Sequence, residues 1–137
     1  MTTTTCHVVT TPGANAYCVP AALSALTGHP VPIVETMIRQ HLGDLPITRV
    51  YLPIALRVLT DLGYKYRDVL RDPDLTLTQF VHKTASPDRM YLVEIPGHAL
   101  VVTQRRIVDN CHPNGVAVEL YHTRRSNVRR AFEVWLP

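Results

Sequence analysis

The sequence predicts an α+β fold in which N-terminal helices pack on a C-terminal antiparallel β-sheet. Three observations carry this prediction. Apolar residues recur at helical spacing between Cys18 and Leu62. From Met90 onward the apolar runs become short and are bounded by turn signals. Between two of those runs lies His112-Pro113-Asn114-Gly115, in which Asn-Gly is a strong hairpin signal. With 137 residues, 46% of them hydrophobic, the chain is long and apolar enough to bury one core, so a single domain spanning 1–137 is expected.

The elements follow in order. Residues 1–13 are Thr-rich and end in Pro12-Gly13, which predicts an extended lead-in. A first helix begins at Cys18, with Pro20 in its first turn, where a missing N–H costs nothing. It carries no charge, so it is expected to cross the interior, and Gly28 stops it. Pro32 opens a second helix with Ile33, Val34, Met37, Ile38 and Leu42 on one face and Gly43 at its end. A third helix, with Thr48 as its cap, carries Leu52, Leu56, Leu59 and Leu62 and closes at Gly63. Tyr64 to Leu70 reads as a strand, and Thr76 to Lys83 as a short helix capped by Thr76 or Thr78. Strands are then expected over 90–95, 99–103, 106–110, 116–122 and 130–136, as an antiparallel meander with the helices on one face.

Composition narrows the function. No apolar run is long enough to span a membrane, and the N-terminus lacks the basic-then-apolar layout of an export signal. Three cysteines cannot make a complete set of intrachain disulfides, so a reducing, cytoplasmic setting is expected. The net charge of +3 is modest, but Arg105, Arg106, Arg124, Arg125, Arg129 and Arg130 all fall in the last third. They suit a solvated strand face or, as a minor reading, phosphate contacts with nucleic acid. No aromatic stacking motif accompanies them. Cys6-His7 and Cys111-His112 are a possible zinc-binding combination, but the usual ligand spacing is missing, so no metal or organic cofactor is expected.

The chemistry centres on Cys18. A thiol at a helix N-terminus sits at the positive end of the helix dipole, which favours the reactive thiolate. His98 follows Pro96-Gly97 at the head of a strand, and Asp109 lies on the next strand. If residues 99–109 form a hairpin, the two meet near its open end, and the carboxylate fixes the imidazole tautomer. Asn110 is the alternate orienter. Asn15 and Tyr17 are candidate oxyanion donors beside the backbone N–H groups of the helix start. Each residue also has a plainer use. Cys18 suits a small core residue, His98 a strand-edge histidine and Asp109 a turn-forming Asx.

The series Asn15…Cys18-Val19-Pro20-Ala21-Ala22-Leu23, then Gly97-His98-Ala99-Leu100-Val101-Val102, then Ile107-Val108-Asp109, resembles the papain-like cysteine peptidase superfamily. It is most similar to the small bacterial and bacteriophage members, including bacteriocin-leader peptidases, over roughly residues 13–110. The resemblance implies Cys18 as nucleophile, His98 as general base and Asp109 as orienter. It implies hydrolysis of a peptide, isopeptide or amide bond through an acyl-thioester, in a peptide or protein substrate and without a cofactor. An acyltransferase would use the same three residues. Two departures are plain: no glutamine precedes Cys18, and Val19 stands where glycine is common. They carry the rival expectation of a catalytically silent papain-like domain, phage- or bacterium-encoded, that binds a host protein.

Overall fold

Cys18–Thr27 form α1 in the computed structural model, which describes residues 6–10 and 17–137. Every residue from Val19 to Leu26 is buried, as a chargeless helix requires. Gly28 ends it in the left-handed region at φ 78°, donating its N–H to the Ser24 carbonyl at 2.8 Å. The Ser24 hydroxyl in turn accepts the Val9 N–H at 2.9 Å, which ties the lead-in segment to the helix. Val31–Leu42 form α2, buried along Val31, Val34, Ile38 and Leu42. Ile33, placed by sequence on the buried face, is instead exposed.

Leu52–Asp61 form α3, with Tyr51 rather than Thr48 at its N-cap. Thr48 lies in a preceding 3₁₀ turn, Ile47–Arg49. Pro53 explains the correction. A helix starting after Thr48 would put the proline ring against the carbonyl of residue 49, whereas a start at Leu52 leaves it in the first turn. Leu77–Lys83 form α4, opened by a reciprocal capping box: the Gln79 N–H donates to Thr76 Oγ1 at 3.2 Å and the Thr76 N–H to Gln79 Oε1 at 2.9 Å.

The strands are β1 (Lys65–Asp68), β2 (Met90–Ile95), β3 (His98–Thr103), β4 (Arg106–Val108), β5 (Val116–Ala117) and β6 (Arg130–Trp135). They make one antiparallel sheet in the order β1-β6-β2-β3-β4-β5. The expected meander is therefore broken by the last strand, which enters between β1 and β2. All four residues of β1 are exposed, so it suits an edge, while Ala131, Phe132 and Val134 of β6 pack against cores on both faces.

Both faces of the sheet are covered. Helices α1, α2 and α3 pack on the side of Leu92, Ala99, Val101, Val108 and Val134. Leu77, Phe80 and Val81 of α4 pack on the opposite side, against Tyr91, Val93, Leu100, Val102 and Ile107. The expectation of helices on one face fails here. The near-continuous apolar runs of β2 and β3 present apolar side chains to both sides, and each side needs a cover.

The β3–β4 turn places Gln104 and Arg105 at φ 53° and 60°. Such paired positive φ values belong to a tight hairpin turn that follows the natural twist of the strands. The next connection is not the tight Asn-Gly hairpin predicted. Strand β4 ends at Val108, β5 begins at Val116, and the seven residues between form a loop around Asp109. The expected strand over 116–122 is cut to two residues, followed by a 3₁₀ turn at Val118–Leu120. Among the described residues no helix is long and apolar enough to cross a membrane.

Candidate active site

Cys18 is the first residue of α1, and its side chain is half-buried. No acidic residue of α1 lies in its first turn to offset the positive end of the helix dipole. Burial alone would push the thiol up. Against that act a hydrogen bond with His98, the N–H groups of Ala99 and Val19, and the charge on the imidazole. Together they hold the Cys18 pKa below the ordinary thiol value.

His98 opens β3 directly after Gly97, whose φ of 71° swings the chain from β2 back along the sheet. Its Nε2 donates to Asp109 Oδ2 at 3.0 Å. That leaves Nδ1 as the nitrogen available to the Cys18 thiol. The hydrogen bond to Asp109, reinforced by the contact with Cys18 and opposed by burial, raises the His98 pKa from 6.5 to about 9. Both shifts favour a thiolate beside an imidazolium over a neutral thiol beside a neutral ring.

Asp109 follows β4 and is fully buried. Its Oδ1 accepts the N–H of Cys111 at 3.0 Å, the N–H of His112 at 2.7 Å and His112 Nδ1 at 3.1 Å. Its Oδ2 accepts the Tyr121 hydroxyl at 2.6 Å in addition to His98. Burial disfavours the charge, but the donors, His98 and Tyr121 first, hold the carboxyl well below its usual range. The two sequence readings of Asp109 are thus one arrangement: Oδ1 shapes the turn while Oδ2 holds the imidazole. Asn110, the alternate orienter, is exposed and makes no side-chain hydrogen bond to His98.

Tyr121 and His112 were not singled out as site residues by sequence. Tyr121 is fully buried, and its phenol is pushed above the ordinary value by burial and by the Asp109 carboxylate, so it stays a donor. Nothing in a stretch read as a strand marks it as a partner of a residue twelve positions earlier. His112 rests edge-on against Tyr121, with ring centroids 5.5 Å apart. Its visible signal was the Cys111-His112 dipeptide, read as a possible zinc pair. Among the described residues no group of three or more His, Cys, Asp or Glu side chains is placed to hold a metal ion.

An open cleft of about 320 Å³ runs over Cys18. Tyr17, Cys18 and Val19 line it from α1, and Gly97, His98 and Ala99 from β3 and its turn. Ile47, Thr48, Val50, Tyr51 and Leu52 add an apolar wall, and Glu94 of β2 completes it. Tyr17 stands exposed at the N-cap of α1 and makes no side-chain capping bond. Asn15 lies outside the described residues. The arginines of the last third have different surroundings: Arg124 and Arg125 line a shallow surface pocket with His122, Thr123 and Ser126. Arg106 donates to the carbonyls of Asn114 and Gly115 at 3.1 and 3.0 Å and so braces the loop around Asp109. Compared with protein-family models, with curated proteins and with solved structures, the chain finds no match in any of the three.

Proposed function

We propose that the protein is a papain-like thiol hydrolase, a peptidase or amidase, using Cys18, His98 and Asp109. The observation that carries this reading is the continuous chain from the Cys18 thiol through His98 to the buried Asp109 carboxylate, at the floor of an open cleft. The same order, cysteine on an early helix, histidine at the head of a strand and aspartate just after the next strand, underlies the resemblance drawn from sequence. The open cleft favours the enzyme over a silent protein-binding domain, which would have no use for an accessible thiolate.

The chemistry runs in two stages. The Cys18 thiolate attacks the substrate carbonyl carbon, and the carbonyl π pair moves onto oxygen. The N–H groups at the start of α1 are the donors available to that oxyanion. As it collapses, the C–N bond breaks and His98 gives its proton to the departing nitrogen. An acyl-thioester on Cys18 remains. Water then gives a proton to His98 and adds to the thioester carbon. The C–S bond breaks, releasing the acid and restoring thiolate and imidazolium. Asp109 keeps the ring oriented throughout and stabilises its charge. An amine or alcohol in place of water would make the same site an acyltransferase.

Alkylation of each cysteine against pH, read by peptide mass mapping, tests the reading and carries its own references. Burial raises the pKa of Cys6, and Cys111 is exposed. Cys18 is expected to react fastest near pH 6, by about tenfold or more, and to lose that advantage in His98→Ala. A Cys18 no faster than Cys111 would sink the proposal.

A further inference from the structure

Two glutamates on this sheet have opposite surroundings. Glu133 of β6 is nearly closed off from water and held by Arg67 and Arg89, the latter at 2.7 Å. Glu94 of β2 is half-buried, lines the cleft, and forms no ion pair among the described residues. Arg130 is its partner across the β2–β6 pair, yet the two side chains do not meet as an ion pair. Glu94 is also paired across β2–β3 with Ala99, whose N–H contacts the Cys18 sulfur. Directly opposed residues of an antiparallel pair project to the same face with Cβ atoms about 5 Å apart. Glu94, Ala99 and Cys18 thus line one cleft together.

A cleft-lining carboxylate with no ion-pair partner among the described residues is open to a cation that enters the cleft. The cleft's other wall, Ile47, Val50 and Tyr51, is apolar. An apolar wall and one carboxylate suit a long basic side chain, which lays down an aliphatic stem and ends in a cation. We propose that Glu94 is the specificity-determining residue of the cleft, and that the substrate is an amide carrying a lysine- or arginine-like cation beside the scissile bond. This rests on the thiol-hydrolase reading above.

The test uses chloroacetamides, which alkylate thiols with loss of chloride, bearing a guanidinium tail, an isosteric neutral urea tail or a carboxylate tail. The rate at Cys18 is measured for each in the full chain, and the ratios within each variant cancel any change in the thiol's own reactivity. Wild type is expected to prefer the guanidinium over the urea by about tenfold, the effect of one charge-assisted hydrogen bond at a half-exposed site. In Glu94→Gln the ratio is expected near one, and in Glu94→Asp intermediate. A reactive Cys18 with no guanidinium preference, or a preference that survives Glu94→Gln, overturns this proposal and leaves the thiol-hydrolase reading standing. A Cys18 inert to all three reagents overturns both.

Discussion

Asp109 and Glu133 are both carboxylates shut away from water beside the same sheet, and they are neutralised in different ways. Glu133 is met by Arg67 and Arg89, whose side chains remain 59% and 50% exposed. Guanidinium groups do not titrate in the working range of a protein, so this cluster is fixed and acts as a staple between β1, β6 and the turn that leads into β2. Asp109 has no arginine. It is satisfied by two backbone N–H groups, a phenol and two imidazole nitrogens. Its charge is therefore free to act on a partner that does titrate, His98, and through it on Cys18. A buried acid paired with a permanent cation joins strands together. One held by backbone N–H groups, a phenol and imidazoles sets where a proton resides.

The hardest break in that comparison is Asp109→Ala, which leaves five buried or half-buried donors without their acceptor. It is expected to cost about 3–5 kcal/mol in urea unfolding. Asp109→Asn keeps the shape and removes the charge, so the alkylation profile of Cys18 is expected to move up toward the ordinary thiol range. Stability should follow pH accordingly. The Asp109 pKa is depressed below 3.8, so its contribution is complete above that value and is lost as pH falls below it. The His98 pKa is raised from 6.5 to about 9, so its contribution is complete below 6.5 and is lost as pH rises through 9. The urea midpoint is expected to be highest between these limits, with both limbs shallower in Asp109→Asn.

Tyr121→Phe sharpens the comparison by removing one donor and little else. Losing a buried hydrogen bond to a charged acceptor is expected to cost about 2 kcal/mol, with a smaller upward shift of the Cys18 profile. Glu133→Gln is the counterpart on the staple. Its arginines are half in water and still find an acceptor, so about 1 kcal/mol or less is expected. The Cys18 profile should not move. A Glu133→Gln profile that shifted like that of Asp109→Asn would erase the distinction between the two acids.

The N-terminal half was legible because its signals are local. Pro20 and Gly28 bracket α1, Gly43 ends α2, and Thr76 with Gln79 caps α4. Each works through the backbone of its own turn, so a sequence window contains the whole cause. Thr48 does not cap α3 because Pro53 fits only the first turn of a helix that starts at Leu52, and Ile33 falls off the buried stripe of α2. Short apolar runs marked β2 and β3, and alternation marked β6, but neither said anything about their neighbours. The entry of β6 between β1 and β2, and the cover that α4 gives the second face, depend on which apolar strands most need burial across the whole chain.

The candidate site divides in the same way. The sequence by itself determined that a cysteine begins an uncharged helix, that a histidine heads a strand, and that an aspartate comes at the end of the short hairpin that follows; the strand expected to carry that aspartate stops one residue before it. Those are matters of turn chemistry and strand spacing. Only the tertiary structure decided that Asp109 rather than Asn110 meets the imidazole, that Tyr121 and His112 complete its shell, and that Glu94 stands in the cleft. Each of these is a contact across sequence separation, made by folding strands and loops onto one another, and no periodicity records it.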